Sequence, residues 1–130
     1  MIFIYAFENN ETYRTLLKSL LERLEKGYYF GIISTLTIAE CLTKPKKEAN
    51  LAQVARYTAF FRHFPNLSVI PLSFNIAEKT ADLRSRISIR TPDAIQLATA
   101  WYEGCDYFIT NDKDIRYEGF PFTILQLSKL

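Results

Sequence analysis

The sequence has few of the residues that build soft-ligand metal sites or disulfides. Its 130 residues contain only two cysteines, Cys41 and Cys105, with no CxxC pair, and one histidine, His63. A structural zinc site needs more cysteine and histidine ligands than these, so the sequence excludes one. Two isolated cysteines instead indicate small core residues in a reducing compartment, where disulfides are rare.

Long apolar runs and a strong excess of one charge are also missing. The apolar run Met1–Phe7 is far too short to span a membrane, and it lacks the basic flank and small-residue cleavage site of a signal peptide. We therefore expect a cytoplasmic protein without membrane association. The net charge of +2 permits a nucleic-acid partner without requiring one. A hydrophobic fraction of 48% and a charged fraction of 23% are typical of a globular chain, and its length predicts one domain over residues 1–130.

Helical and strand-like patterns alternate along the chain. Met1–Phe7 could begin either a buried strand or a buried helix. The predicted helices are Glu11–Lys26, a short one capped by Ser34 or Thr35 with Pro45 beyond its end, Glu48–Phe64, Asn75–Arg86, and one from Thr91 to Gly104. The predicted strands are Tyr28–Ile33, Leu67–Leu72, Tyr107–Ile109 and Phe122–Leu127. This alternation predicts an α/β fold of three layers, with a central parallel sheet between helices.

The stretch from residue 90 to residue 113 carries the strongest local signals. Thr91 suits a helix N-cap, Pro92 the first helical position, and Asp93 the first turn. The following buried strand, Tyr107–Ile109, leads to Asp112. A helix that leads into a parallel strand runs antiparallel to it, so the helix begins where the strand ends. Asp93 and Asp112 should therefore share the carboxyl edge of the sheet, where open α/β folds bind ligands.

A third acid belongs with this pair. Glu40 lies in the helix that follows a predicted strand, so it should also lie near the carboxyl edge. Three converging carboxylates repel one another unless a cation lies among them, and oxygen ligands favour Mg²⁺ or Mn²⁺. Such a site can activate water for phosphodiester hydrolysis, and Asp114 could add an oxygen. Taken singly, the residues also have structural explanations, because Asp93 stabilises a helix start, Glu40 suits a solvated helix face and Asp112 an ordinary turn.

Four short motifs resemble those of the PIN domain family, in particular its VapC-type toxins. They keep the order and spacing of the family over essentially the whole chain: FIYAFE (Phe3–Glu8), STLTIAECL (Ser34–Leu42), TPDAIQLATA (Thr91–Ala100) and YFITND (Tyr107–Asp112). The resemblance implies a metal-dependent ribonuclease with a central parallel sheet of strand order 3-2-1-4-5. It also implies an antitoxin partner and a homodimer.

The resemblance assigns roles residue by residue. Glu40, Asp93 and Asp112 would bind Mg²⁺ or Mn²⁺, with Asp114 as a weaker candidate. Thr110 would position water or substrate, and Asn111 would lie beside it. For the RNA backbone, the candidate contacts are basic residues that could equally be solvated charges: Lys44, Lys46, Lys47, Arg90, Lys113 and Arg116.

The N-terminus departs from the family pattern. PIN domains usually open with an apolar strand that ends in Asp-Thr-Asn, and Met1 stands where the third residue of that triplet would fall. Either the natural protein is longer by about six to ten residues, the length of an ordinary strand, or this is a shortened member. We favour the longer protein, because loss of a central strand leaves two unpaired edges.

A shortened chain has its own consequences. Met1–Tyr5 could take the empty strand position, and one missing carboxylate would weaken metal binding. The alternative function is then a catalytically impaired interaction module, which binds an antitoxin or a like subunit. A receiver-like phosphoryl-transfer fold is a remote third alternative, since no Asp-Asp pair follows a first strand.

Overall fold

The computed structural model describes residues 11–110, 115 and 117–127. Met1–Phe7 lies outside them, as do the predicted site residues of the segment after Thr110: Asn111, Asp112, Lys113, Asp114 and Arg116. The described helices are α1 (Glu11–Glu25), α2 (Thr35–Lys47), α3 (Leu51–His63), α4 (Phe74–Arg86) and α5 (Thr91–Tyr102). The described strands are β1 (Gly31–Ser34), β2 (Leu67–Ile70), β3 (Tyr107–Thr110) and β4 (Thr123–Gln126).

All four described strands run parallel, in two pairs. Strand β1 pairs with β2, with Gly31 opposite Leu67, and β3 pairs with β4, with Tyr107 opposite Thr123. Within the described residues no ladder joins the two pairs, which we call half-sheet A (β1, β2) and half-sheet B (β3, β4). The predicted parallel α/β fold is confirmed, and its sheet is seen as two halves separated by a cleft.

Each half-sheet has its own core. The core of half-sheet A combines Ile33 of β1 with Cys41 of α2 and with Tyr57 and Phe61 of α3. The core of half-sheet B is formed by side chains of α4, α5 and the residue just before β4: Ile76, Leu83, Leu97, Ala98, Ala100 and Phe122. Helix α5 also packs against β1 and α2, so it bridges the halves. No described helix combines the length and apolar character needed to cross a membrane.

Strand β1 begins three residues later than the sequence pattern predicts. Gly27 has a φ of +81° and ends the helix in the left-handed conformation that favours glycine. The Tyr28 N–H donates back to the Arg23 carbonyl at 3.1 Å, which assigns Tyr28 to the helix cap. Residues 28–30 are therefore exposed turn residues, and the prediction of a strand from Tyr28 is wrong.

Helix α2 runs through Pro45 instead of ending before it. Pro45 lies in the last turn, and its ring is buried. A proline removes one helical hydrogen bond, and here burial of the apolar ring offsets that loss. The Glu48 N–H still donates to the Lys44 carbonyl at 3.0 Å, so the turn closes around the proline. The prediction that Pro45 lies beyond the helix is wrong.

Helix α5 begins one residue earlier than predicted. The Arg90 carbonyl accepts the first helical hydrogen bond, from the Ala94 N–H at 3.0 Å, and Arg90 is the N-cap without a side-chain cap bond. The prediction that Thr91 is the N-cap is therefore wrong, because Thr91 is already helical. Asp93 remains in the first turn, as predicted.

Candidate functional site

A cleft of about 1670 Å³ lies between the two half-sheets. Its walls are β1 and β3, leucines of α1, and the first turns of α2 and α5. One end of the cleft carries polar side chains from the last residues of β1 and β3 and from the starts of α2 and α5: Ser34, Thr37, Glu40, Arg90, Asp93 and Thr110. We call this end the carboxyl edge.

Helix α2 brings Glu40 to the carboxyl edge. The hydroxyl of Ser34, at the end of β1, accepts a hydrogen bond from the Leu36 N–H at 3.1 Å and caps the helix. This cap starts α2 at the last residue of the strand, without an intervening loop. Thr37 is buried, with 4% of its surface exposed, and Glu40 follows it by three residues with an exposed side chain. Residues three apart share a helix face, so Glu40 lies above Thr37 on the side of the cleft.

Helix α5 brings Asp93 to the same edge. The side chain lies in the first helical turn, where the helix dipole favours a carboxylate. The Arg90 guanidinium contacts Asp93 Oδ2 through Nε and Nη2, each at 3.2 Å. The Arg90 side chain is 82% exposed, and exposed ion pairs contribute only about 0–1 kcal/mol. The guanidinium therefore neutralises the Asp93 carboxylate, and because this ion pair is weak, a cation can displace the guanidinium.

One hydrogen bond joins the helices that carry the two acids. Gln96 Nε2 donates to Thr37 Oγ1 at 3.0 Å, across the boundary between half-sheets A and B. Gln96 follows Asp93 by three residues, as Glu40 follows Thr37. The bonded pair and the acidic pair therefore occupy the same two helix faces, one turn apart. The Gln96–Thr37 bond therefore connects the two helices next to the turns that carry Asp93 and Glu40.

The donor chemistry of the carboxyl edge fits a hard divalent cation. Glu40 and Asp93 supply carboxylate oxygens and Thr110 a hydroxyl, and oxygen ligands suit Mg²⁺ or Mn²⁺. Among the described residues, no three His, Cys, Asp or Glu side chains group closely enough to hold a metal. The third predicted acid, Asp112, lies two residues beyond the described Thr110.

The opposite end of the cleft does not provide a cysteine nucleophile. Cys105 lines this end beside Glu103 and Asp106. Burial, and then the negative charges of Glu103 and Asp106, raise the pKa of the Cys105 thiol. The thiol is thus protonated near neutral pH, and the reactive thiolate form is disfavoured. The oxygen side chains of the carboxyl edge are therefore the candidate reactive groups of the cleft.

The predicted basic residues are only partly brought to the cleft. Arg90 lines the carboxyl edge. Lys44, Lys46 and Lys47 lie exposed in the last turn of α2, and none of them lines the part of the cleft that the described residues form. Their role in RNA binding stays a prediction, as does that of Lys113 and Arg116 outside the described residues.

Comparison of the sequence with models of protein families identifies the family of this chain. A sequence model of the PIN domain family matches residues 1–119. The chain belongs to the PIN domain family. Among curated proteins, none matches it significantly. The family resemblance of the four motifs is thereby confirmed.

Two solved structures share the PIN fold of this chain. A toxin–antitoxin complex from Klebsiella pneumoniae superposes with a TM-score of 0.71 at 26% identity, covering 97% of this chain and 92% of the other. VapBC2 from Rickettsia felis, bound to a DNA fragment from its promoter, gives a TM-score of 0.71 at 21% identity, covering 96% and 92%. These similarities show that the chain has the overall fold of the two proteins.

Sequence reasoning missed the residues that connect the acids. Gln96 and Thr99 are polar residues of α5, yet Gln96 is half-buried against Thr37 and Thr99 is buried. The Thr99 hydroxyl donates to the Ile95 carbonyl at 2.7 Å, which lets a polar side chain enter the core. One feature of the sequence could have identified the connecting residues. Thr37 and Glu40 are three residues apart, as are Asp93 and Gln96, and residues at this spacing share a helix face.

Proposed function

We propose that this PIN domain is a metal-dependent ribonuclease of the VapC toxin type, which hydrolyses RNA phosphodiester bonds. The proposal rests on one observation. Glu40, on the helix that follows β1, and Asp93, on the helix that precedes β3, line the same edge of one cleft. Family membership supports nuclease chemistry, and the toxin–antitoxin complexes among the structural neighbours support a toxin role with an antitoxin partner.

Glu40, Asp93 and Asp112 are the residues that would hold Mg²⁺ or Mn²⁺, with Asp114 as a further oxygen donor. A bound cation at such a site lowers the pKa of water and stabilises the charge that develops on the leaving oxygen. Thr110 orients water or the scissile phosphate through its hydroxyl. If a cation bound Asp93, the Arg90 guanidinium would be free to bind a phosphate oxygen, which its fork of N–H donors suits.

The partners follow from the same proposal. RNA would approach the carboxyl edge, and its backbone would contact basic side chains on either side of the acids: Lys44, Lys46, Lys47, Arg90, Lys113 and Arg116. An antitoxin would cover this edge to silence the nuclease, and the chain would act as a homodimer. Since the side chains of the three lysines of α2 are exposed, they can reach a flexible strand without rearrangement of the helix.

The test is RNA cleavage by purified variants in the presence of Mg²⁺ or Mn²⁺. We expect Asp93→Asn and Glu40→Gln to lose cleavage with unchanged thermal unfolding, because both substitutions keep shape and remove a charged ligand. Glu103→Gln is the matched control, since Glu103 is an exposed acid that lines the opposite end of the cleft. Full metal-dependent cleavage by Asp93→Asn would refute the assignment.

An interaction module without nuclease activity is the second candidate function. One observation favours it: the Asp93 carboxylate already accepts from the Arg90 guanidinium at 3.2 Å, an ion pair that a purely structural role explains. This candidate predicts that the wild-type chain neither binds Mn²⁺ in calorimetry nor cuts RNA, and still binds an antitoxin. Tight Mn²⁺ binding that Asp93→Asn abolishes and Glu103→Gln preserves would exclude it.

A further inference from the structure

Arg90 is the only basic side chain among the described residues that line the cleft. The other charged side chains in this set are acids: Glu40, Asp93, Glu103 and Asp106. The Arg90 guanidinium lies against one of these acids, because its Nε donates to Asp93 Oδ2 at 3.2 Å and its Nη2 lies 3.2 Å from the same oxygen. The one cation that the described residues bring to the cleft is therefore paired with a predicted metal ligand.

The position of Arg90 at the start of α5 is unfavourable without an anion. Arg90 is the N-cap of the helix, and its side chain makes no cap bond. The helix dipole places partial positive charge at this end, which favours anions and disfavours cations. Asp93, in the first turn, supplies the anion. If a divalent cation bound the Asp93 carboxylate, the guanidinium would lose its anion and lie between two positive charges, the cation and the helix end.

The guanidinium can leave Asp93 without a change in the backbone. The Arg90 side chain is 82% exposed, so packing does not hold it, whereas the Asp93 side chain is 28% exposed. The Arg90 carbonyl accepts from the Ala94 N–H at 3.0 Å, which anchors the backbone at the helix start. Rotation of the side chain alone can therefore exchange the carboxylate for another anion. A phosphate group is such an anion, and paired N–H donors suit it.

We propose that Arg90 couples the binding of a substrate phosphate to the binding of the cation. The guanidinium holds Asp93 in the free protein and releases it when a phosphate of the RNA backbone binds the guanidinium. This inference rests on the proposed function, because it takes Asp93 as a ligand of Mg²⁺ or Mn²⁺. Coupling between two ligands is reciprocal, so a bound cation also raises the affinity for the phosphate.

Calorimetric titration with Mn²⁺ tests the competition without any cleavage. We expect Arg90→Gln to bind Mn²⁺ about two- to fivefold more tightly than the wild type, because an exposed ion pair of up to about 1 kcal/mol corresponds to about fivefold at most. Arg86→Gln is the matched control and should bind Mn²⁺ as the wild type does. Arg86 Nε contacts Asp82 Oδ1 at the same 3.2 Å, and neither residue lines the part of the cleft that the described residues form.

A short single-stranded DNA serves as the phosphate probe, since it carries the backbone without the ribose of the proposed substrate. In the absence of metal, Arg90→Gln should bind this DNA about two- to fivefold more weakly than the wild type, because one charged contact is lost. In saturating DNA, the difference in Mn²⁺ affinity between Arg90→Gln and the wild type should disappear, because phosphate then holds the wild-type guanidinium. A purely structural ion pair would not tighten one ligand and weaken the other.

The titrations separate failure of the coupling from failure of the proposed function. Unchanged or weaker Mn²⁺ binding by Arg90→Gln, beside a wild type that binds Mn²⁺, would overturn the coupling and leave the proposed function intact. A difference that persists in saturating DNA would also overturn the coupling, because Arg90 would then not exchange Asp93 for phosphate. A wild-type chain that does not bind Mn²⁺ would instead overturn the proposed function, and this inference with it.

Discussion

The hydrogen bond between Gln96 and Thr37 makes a testable link between stability and the candidate site. It is a polar contact between α5 and α2, and each partner lies one turn from an acid of the carboxyl edge. Thr37→Val removes the accepting hydroxyl and keeps the side-chain shape. Gln96→Met removes the donor and keeps the length and flexibility of the side chain. The two single variants and the double variant form a thermodynamic cycle.

The magnitude follows from burial. Thr37 is 4% exposed, so Gln96→Met leaves a buried hydroxyl without this partner, which costs about 1–3 kcal/mol of unfolding free energy. Gln96 is half-buried and can turn towards water, so Thr37→Val should cost about 0.5–1.5 kcal/mol, the net contribution of one bond. In the double variant the second substitution adds little, which gives a coupling energy of about 0.5–1.5 kcal/mol.

Urea denaturation measures the unfolding free energy of each protein in the cycle. RNA cleavage in Mn²⁺ measures how loss of the Gln96–Thr37 bond affects the candidate site. We expect kcat to fall by about 10–100-fold in each single variant, because a displacement of about 1 Å between catalytic groups has that effect. Thr80→Val is the control: Thr80 is buried, and its hydroxyl donates at 2.8 Å to the Ile76 carbonyl within α4, away from the cleft. Additive stabilities, or cleavage as fast as in Thr80→Val, would refute the positioning role.

Two further predictions concern the hydrophobic core and the end of the cleft opposite the carboxyl edge. Leu97→Ala should lower the unfolding free energy by about 2–5 kcal/mol in urea denaturation, because Leu97 is fully buried, whereas Leu51→Ala at an 80% exposed site should change it by less than about 0.5 kcal/mol. Cys105 should react with iodoacetamide more slowly than free cysteine at pH 7 and accelerate towards high pH, because its raised pKa keeps the thiol protonated; reaction at the rate of free cysteine would contradict this.

Local patterns in the sequence predict most of the described elements. The apolar periodicity and the stop at Gly27 place α1 to within one residue, and Tyr107–Ile109 is found as a strand that continues through Thr110. Asp93 and Thr110 line one cleft, in agreement with the rule that a helix begins where its parallel strand ends, and the role of Asp93 stays a prediction. These features depend on contacts close in sequence, so composition and spacing are sufficient to predict them.

The errors occur where tertiary contacts outweigh local preference. Pro45 predicts a helix end, yet its ring is buried inside α2. Tyr28 has high strand propensity, yet its N–H completes the cap of α1. The bond from Gln96 to Thr37 joins residues 59 positions apart, and propensity carries no information about such a distance. Local patterns therefore predict the acids of the candidate site, and only the three-dimensional structure identifies the residues that position them.

Because the two acids of the candidate site belong to different half-sheets, the distance between them depends on how the half-sheets are held together. Glu40 belongs to half-sheet A, and Asp93 precedes the strand of half-sheet B, so neither half holds both acids. Each half has a separate hydrophobic core, and those cores do not by themselves fix the distance between the acids. That distance depends on the described contacts that cross the boundary: α5 packed on β1, and the Gln96–Thr37 bond. Loss of the Gln96–Thr37 bond should therefore reduce catalysis even when both cores remain folded.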